Sequence, residues 1–111
     1  MKRWLFAFAW LVVSGAAPAW AHGPTVEITT AGLKPVLLNL FEGTTVHFTN
    51  TLATPQGLVV TGEAGTVVSP SLAPAGEGWH YTFEKGGAYA IRLEKRPEAT
   101  MRIVVVKKST P

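Results

Sequence analysis

The sequence predicts a small all-β domain, a Greek-key sandwich of about seven short strands, on three observations. Apolar and polar residues alternate with period two in several runs (TVEITT, TTVHFT, WHYTF), as in a strand with one face in a core. Glycine or proline stands between these runs, where a chain must turn. No stretch carries an apolar stripe of 3.6-residue period, which argues against helices and against a βαβ fold.

The strands do not begin at residue 1. Met1, Lys2 and Arg3 form a short basic start, Trp4 to Val13 is an unbroken apolar run, and Ser14 to Ala21 is small and ends in Ala19-Trp20-Ala21. That order of basic, apolar and A-x-A parts is a secretory signal over residues 1–21. The apolar run has ten residues, too few for the roughly 20 of a membrane-spanning helix, so no span is expected after cleavage. Cleavage takes 111 residues to 90 and, by removing Lys2 and Arg3, takes the net charge from +3 to +1. A nearly neutral domain gives no electrostatic case for nucleic acid. The expected location is the periplasm.

The domain proper is expected over residues 22–106. Thr25 to Thr30 turns Val26 and Ile28 to one face. Pro35 to Phe41 is a second apolar run, ended by the Glu42-Gly43 turn. Thr44 to Thr49 puts Val46 and Phe48 inward and Thr45 and His47 outward. Gly57 to Thr61 is short and β-branched. The segment Gly62 to Gly78 reads as a loop with one short strand at Thr66-Val67-Val68. Trp79 to Phe83 sets Trp79, Tyr81 and Phe83 against His80 and Thr82. Gly86-Gly87 turns into Ala88 to Leu93, and Met101 to Val106 closes the domain, with a polar tail over residues 107–111. Alternation fixes these faces.

Composition removes several chemistries. With no cysteine, thiol catalysis, cysteine-ligated zinc, iron–sulfur clusters and disulfides are excluded. With no aspartate in the chain there is no Ser-His-Asp set, and the glutamates show no pairing for acid/base work. The protein is not expected to be an enzyme.

Three segments resemble the cupredoxin family, over about Thr25 to Val106. Gly43-Thr44-Thr45-Val46-His47-Phe48-Thr49-Asn50 resembles its glycine turn and asparagine-ended third strand. Trp79 to Gly87 with Tyr89 resembles its aromatic strand, turn and Gly-x-Tyr, and Met101 to Val106 its closing strand. The resemblance implies a β-sandwich with copper ligands at one end, and there the chain departs from it. Gln56 stands where a histidine is expected, Leu93 where the cysteine is expected, Arg96-Pro97 at the His-Pro, and Ala99 at the methionine, with Met101 two residues on as its one substitute. A blue-copper centre needs a cysteine thiolate, so none can form. The chain resembles the copper-free cupredoxin-like domains of exported bacterial proteins.

Three histidines remain as metal candidates: His22, His47 and His80. Cleavage after Ala21 makes His22 the N-terminus, where its α-amine and imidazole chelate one ion, as N-terminal histidine does in several exported copper proteins that this end resembles. Cleavage after Ala19 leaves Trp20-Ala21-His22, whose amine, two amide nitrogens and imidazole form a square-planar set suited to Cu(II) or Ni(II). If the third strand pairs with the aromatic strand, the outward His47 and His80 come within the roughly 4.5–5.5 Å Cβ spacing of facing residues. If the first strand lies beside the third, His22 joins them. The expected ligand is copper, for storage, delivery or resistance. The alternative is a metal-free module that binds a periplasmic protein through Leu52, Pro55, Leu58, Leu93 and Pro97 at the former copper end.

Overall fold

The computed structural model describes residues 23–107. The signal segment, His22 and residues 108–111 of the tail lie outside them. Nine strands are present among the described residues: β1 (Thr25–Thr29), β2 (Gly32–Lys34), β3 (Leu37–Phe41), β4 (Thr44–Asn50), β5 (Leu58–Gly62), β6 (Gly65–Val68), β7 (Trp79–Phe83), β8 (Gly87–Leu93) and β9 (Thr100–Val106). They form two sheets, one in the order β3-β9-β8-β5-β6 and one in the order β2-β1-β4-β7. The fold is the expected all-β sandwich.

Period two explains where each strand buries its side chains. Val26 and Ile28 of β1, Val46 and Phe48 of β4, Ile91 and Leu93 of β8, and Met101, Ile103 and Val105 of β9 all enter one core. Burying side chains of this size contributes about 1.5–3 kcal/mol each, and with no disulfide to help, this is what joins the sheets. An aromatic file closes the core along β7. Phe48 to Trp79, Trp79 to Tyr81, Tyr81 to Phe83 and Phe83 to Tyr89 have ring centroids 5.6, 5.1, 4.9 and 5.0 Å apart, the spacing of favourable tilted and edge-to-face pairs.

The sequence expectation of about seven strands, with one short strand more in the loop over residues 62–78, falls short by β2. β6 contains the short strand expected at Thr66-Val67-Val68 and folds back on β5 through the Glu63-Ala64 turn, with Gly62 opposite Gly65. β2 has three residues and pairs with β1 across the Thr30-Ala31 turn, Glu27 opposite Lys34. So short a run shows no period. The second apolar run enters its sheet at Leu37 rather than Pro35, because the chain bends at Pro35 and Val36 to pass from one sheet to the other.

Trimming Ile103 to valine should cost about 0.5–1.5 kcal/mol and Phe48→Ala about 3–5 kcal/mol, read as midpoint shifts in urea unfolding. Both side chains are fully buried, so the contrast measures how much the core depends on the β4–β7 aromatic contact. Tyr89 gives a second test. Burial first, then the nearby Tyr81, Glu42 and Glu63, raise its pKa above the usual tyrosine value. A raised folded-state pKa means a contribution that is whole below the unfolded value and lost as pH rises through the folded one. Thermal stability should therefore fall as pH passes about 10, and less so in Tyr89→Phe.

Candidate metal site on the outer face of the four-stranded sheet

β4 lies between β1 and β7, and its register fixes what its outward residues meet. Thr45 faces Thr82, His47 faces His80, and Phe48 faces Trp79 on the core side. The two threonine hydroxyls share a hydrogen bond of 2.6 Å. The His47 and His80 rings stand edge to face, with centroids 4.2 Å apart and planes at 68°. His47 is half-buried and His80 exposed.

His47 is oriented from its far side. Its Nε2 lies 2.9 Å from the Glu77 carbonyl oxygen. A carbonyl only accepts, so Nε2 carries a proton, and in the neutral ring Nδ1 is then the nitrogen with the lone pair. A backbone carbonyl that holds one ring N–H is the usual partner of a metal-binding histidine. Gly78 makes this approach possible. Its φ is +82°, and an added Cβ would run into the Phe48 carbonyl oxygen and sit 2.9 Å from His47 Nε2.

On the other side β1 runs parallel to β4, with Thr25 in register with His47. The His47 N–H donates to the Pro24 carbonyl at 2.9 Å. Gly23 packs so closely on the Thr45 carbonyl that a Cβ there would collide with it. The chain thus begins its described course against the strand that carries His47. His22 precedes Gly23 directly and lies outside the described residues. Among the described residues no group of three or more His, Cys, Asp or Glu gathers around one point, and the structure brings together two of the three expected histidines, His47 and His80.

The opposite feature is the loop end of the sandwich. Buried Asn50 donates through Nδ2 to the carbonyls of Thr54 (2.9 Å) and Leu72 (3.0 Å), and its Oδ1 accepts from Leu52 N–H at 2.9 Å. Gln56 is buried, exchanges two backbone bonds with Leu72 (3.0 and 2.7 Å) and turns Nε2 to the Thr54 hydroxyl at 3.0 Å. Leu58 and Leu93 face each other on β5 and β8 and are fully buried. Met101 faces Ile91 and belongs to the core. Of the apolar patch expected at this end, Leu58 and Leu93 are therefore internal, Leu52 is half-buried, and Pro55 and Pro97 are exposed. The Arg96 guanidinium reaches instead to the carbonyls of Thr29 and Thr30 at 3.4–3.5 Å.

Sequence reasoning missed the Glu77 carbonyl and the role of Gly78. The signal available was Gly76-Glu77-Gly78 directly before the aromatic strand, a run that permits a close backbone approach.

No protein-family model and no curated protein matches the chain. Solved structures do. A methionine-to-alanine variant of amicyanin in its Cu(I) form is 21% identical with a TM-score of 0.68, over 76% of this chain and 82% of that one. An oxidised proline-to-alanine variant of amicyanin is 20% identical at 0.70, over 82% and 89%. A purple cupredoxin from Nitrosopumilus maritimus is 22% identical at 0.65, over 75% and 99%. The chain has the cupredoxin fold.

Asn50→Ala would remove three side-chain bonds and leave buried backbone groups unpaired. At about 1 kcal/mol per bond the loss should be roughly 2–4 kcal/mol, seen in chemical unfolding, with the ring geometry of His47 and His80 unchanged in histidine NMR shifts.

Proposed function

We propose that the protein is exported to the periplasm and binds copper there, as a nitrogen-ligated Cu(II) ion at His47 and His80, completed by His22 at the processed N-terminus. Its role is copper storage, delivery or resistance, by binding rather than catalysis. The observation that carries this reading is the facing His47–His80 pair, with His47 held through Nε2 so that Nδ1 is left as the donor.

The donor set decides the kind of copper. Imidazole nitrogen suits Cu(II), and Cu(II) stands at the top of the divalent affinity order. The fold's blue-copper chemistry does not fit these residues, because the chain has no cysteine and Leu93 and Met101 are core side chains. A bound Cu(II) ion would be the cargo, held and released by these nitrogen ligands. The chain's own part is to set two imidazoles on neighbouring strands of a rigid sheet and to fix one of them by its second nitrogen. His22 enters through sequence, as the residue joined to Gly23, which itself packs on Thr45. In the apolar-module reading Leu58 and Leu93 are internal, which leaves Leu52, Pro55 and Pro97 to form its surface.

Protein recovered from the periplasm should show by intact mass a start at His22 or Trp20. Titration should give one Cu(II) per chain and a type-2 electron paramagnetic resonance signal with nitrogen couplings. His47→Ala and His80→Ala should each weaken binding by roughly 10–100-fold. No uptake at micromolar Cu(II), or uptake indifferent to both changes, would overturn the proposal.

A further inference from the structure

The two outer faces of the sandwich differ in kind. A sheet with one face on the core usually turns polar residues to water on the other. The four-stranded sheet does so, with threonines, Glu27, His47 and His80 on its outer face. The five-stranded sheet does not. Its register sets Leu37 and Phe41 of β3 beside Arg102 and Val106 of β9, and Arg102 and Val104 beside Ala90 and Ala88 of β8. These positions alternate with the core residues Leu40, Ile91, Ile103 and Val105, so they make up the outer face. On it Leu37 is 50% exposed, Phe41 57% and Val106 44%.

The charge on this face is of one sign. The five strands of the sheet contain no acidic residue and no lysine. Arg102 faces Ala90 and Arg92 faces Thr100, which sets the two arginines diagonally across β8 and β9, within the roughly 7–8 Å of such neighbours. Like charges so placed repel unless an anion lies between them. Beside Arg102 the small side chains of Ala88 and Ala90 leave a hollow of ≈ 410 Å³, with Thr61 and Gly62 on its β5 side and Glu63, in the turn after β5, at its rim.

We propose that this face docks a partner protein whose carboxylates meet Arg92 and Arg102 and whose apolar side chain fills the hollow over Ala88 and Ala90. The charge chooses the occupant. A second copy brings two more arginines and no carboxylate on the same strands. An anionic membrane is held by clusters of about four to eight cations, and this face has two arginines and no lysine. Apolar and aromatic side chains with arginine, free of lysine and glutamate, are the composition of the buried centre of a protein interface. The hollow supplies the pocket that an anchoring side chain of the partner enters. The surface lies across the sandwich from His47 and His80, so docking does not depend on whether copper binds.

A benzophenone amino acid in place of Asn39, which is exposed on this face, should form an adduct with a second protein when the cells that make the chain are illuminated. The same group in place of Thr25, exposed on the other outer face, should not form that adduct. The segment of the partner attached at residue 39 should carry Asp or Glu beside an apolar residue. With the partner purified, Arg102→Glu should weaken binding roughly tenfold or more with an unchanged circular dichroism spectrum, and Arg102→Gln should weaken it less. Raising salt from about 0.05 M to about 0.5 M should also weaken it. No adduct from residue 39, the same adduct from residue 25, a covalent pair of this chain, an attached segment without carboxylates, binding indifferent to both Arg102 variants, or pelleting of the protein with phosphatidylglycerol vesicles would each overturn the proposal.

Discussion

The burial of Val46 and Phe48 on β4 constrains the rest of the molecule. β4 is an inner strand, bonded in parallel to β1 and antiparallel to β7. Both side chains are removed from water entirely, so Thr45, His47 and Thr49 are committed to the other face. A slip of one residue would turn His47 into the core and Phe48 into solvent, exchanging a favourable burial for an imidazole without partners. The facing histidines are thus a consequence of core packing. No interaction between the imidazoles is needed to bring them together. Phe48 and Trp79 hold the register from beneath, and the Thr45–Thr82 bond holds it from above.

The loop end shows the same economy in another form. Three turns of chain meet there without a regular ladder, so their backbone groups need other partners. Asn50 supplies them to Leu52, Thr54 and Leu72, and Gln56 ties the segment to Leu72 twice through its backbone. Leu58 and Leu93 fill the space below. A sandwich end closed by hydrogen-bonded amides and packed leucines is well suited to stability and poorly suited to blue copper, because Gln56 and Leu93 bring neither imidazole nor thiolate and the Glu94 carboxylate over Gly57 is a hard oxygen donor. Among the described residues the imidazoles, His47 and His80, sit on the outer face of the four-stranded sheet.

Alternation made most of this legible in the sequence. The runs TVEITT, TTVHFT and WHYTF gave strands whose buried faces are Val26 and Ile28, Val46 and Phe48, and, with Trp79 and Tyr81 half-buried, Phe83. The same parity put His47 and His80 outward, and the family resemblance put their strands side by side. Two kinds of feature stayed hidden. β2 is too short to display a period, and its pairing depends on a turn rather than on its own residues. The Glu77 carbonyl that fixes His47 is a backbone atom, which every residue has, so nothing in its type marks it. The leucines at residues 58 and 93 read equally well as surface patch or as core, and only their facing positions across β5 and β8 decide for core.

Placing imidazoles on strands rather than in a loop has a physical consequence for any ion they hold. Loop ligands are positioned by a few local bonds and can adjust to a change in preferred geometry, whereas strand ligands inherit the spacing of the sheet. His47 and His80 cannot separate without breaking the β4–β7 ladder, and His47 cannot rotate freely without losing the Glu77 bond. His80 is exposed and has no such bond among the described residues, its ring making the edge-to-face contact with His47 instead. On the proposed function, one imidazole held by the backbone and one without such a bond would suit capture and release better than the unchanging coordination that rapid electron exchange requires. What fixes the pair is concentrated in the backbone that surrounds His47.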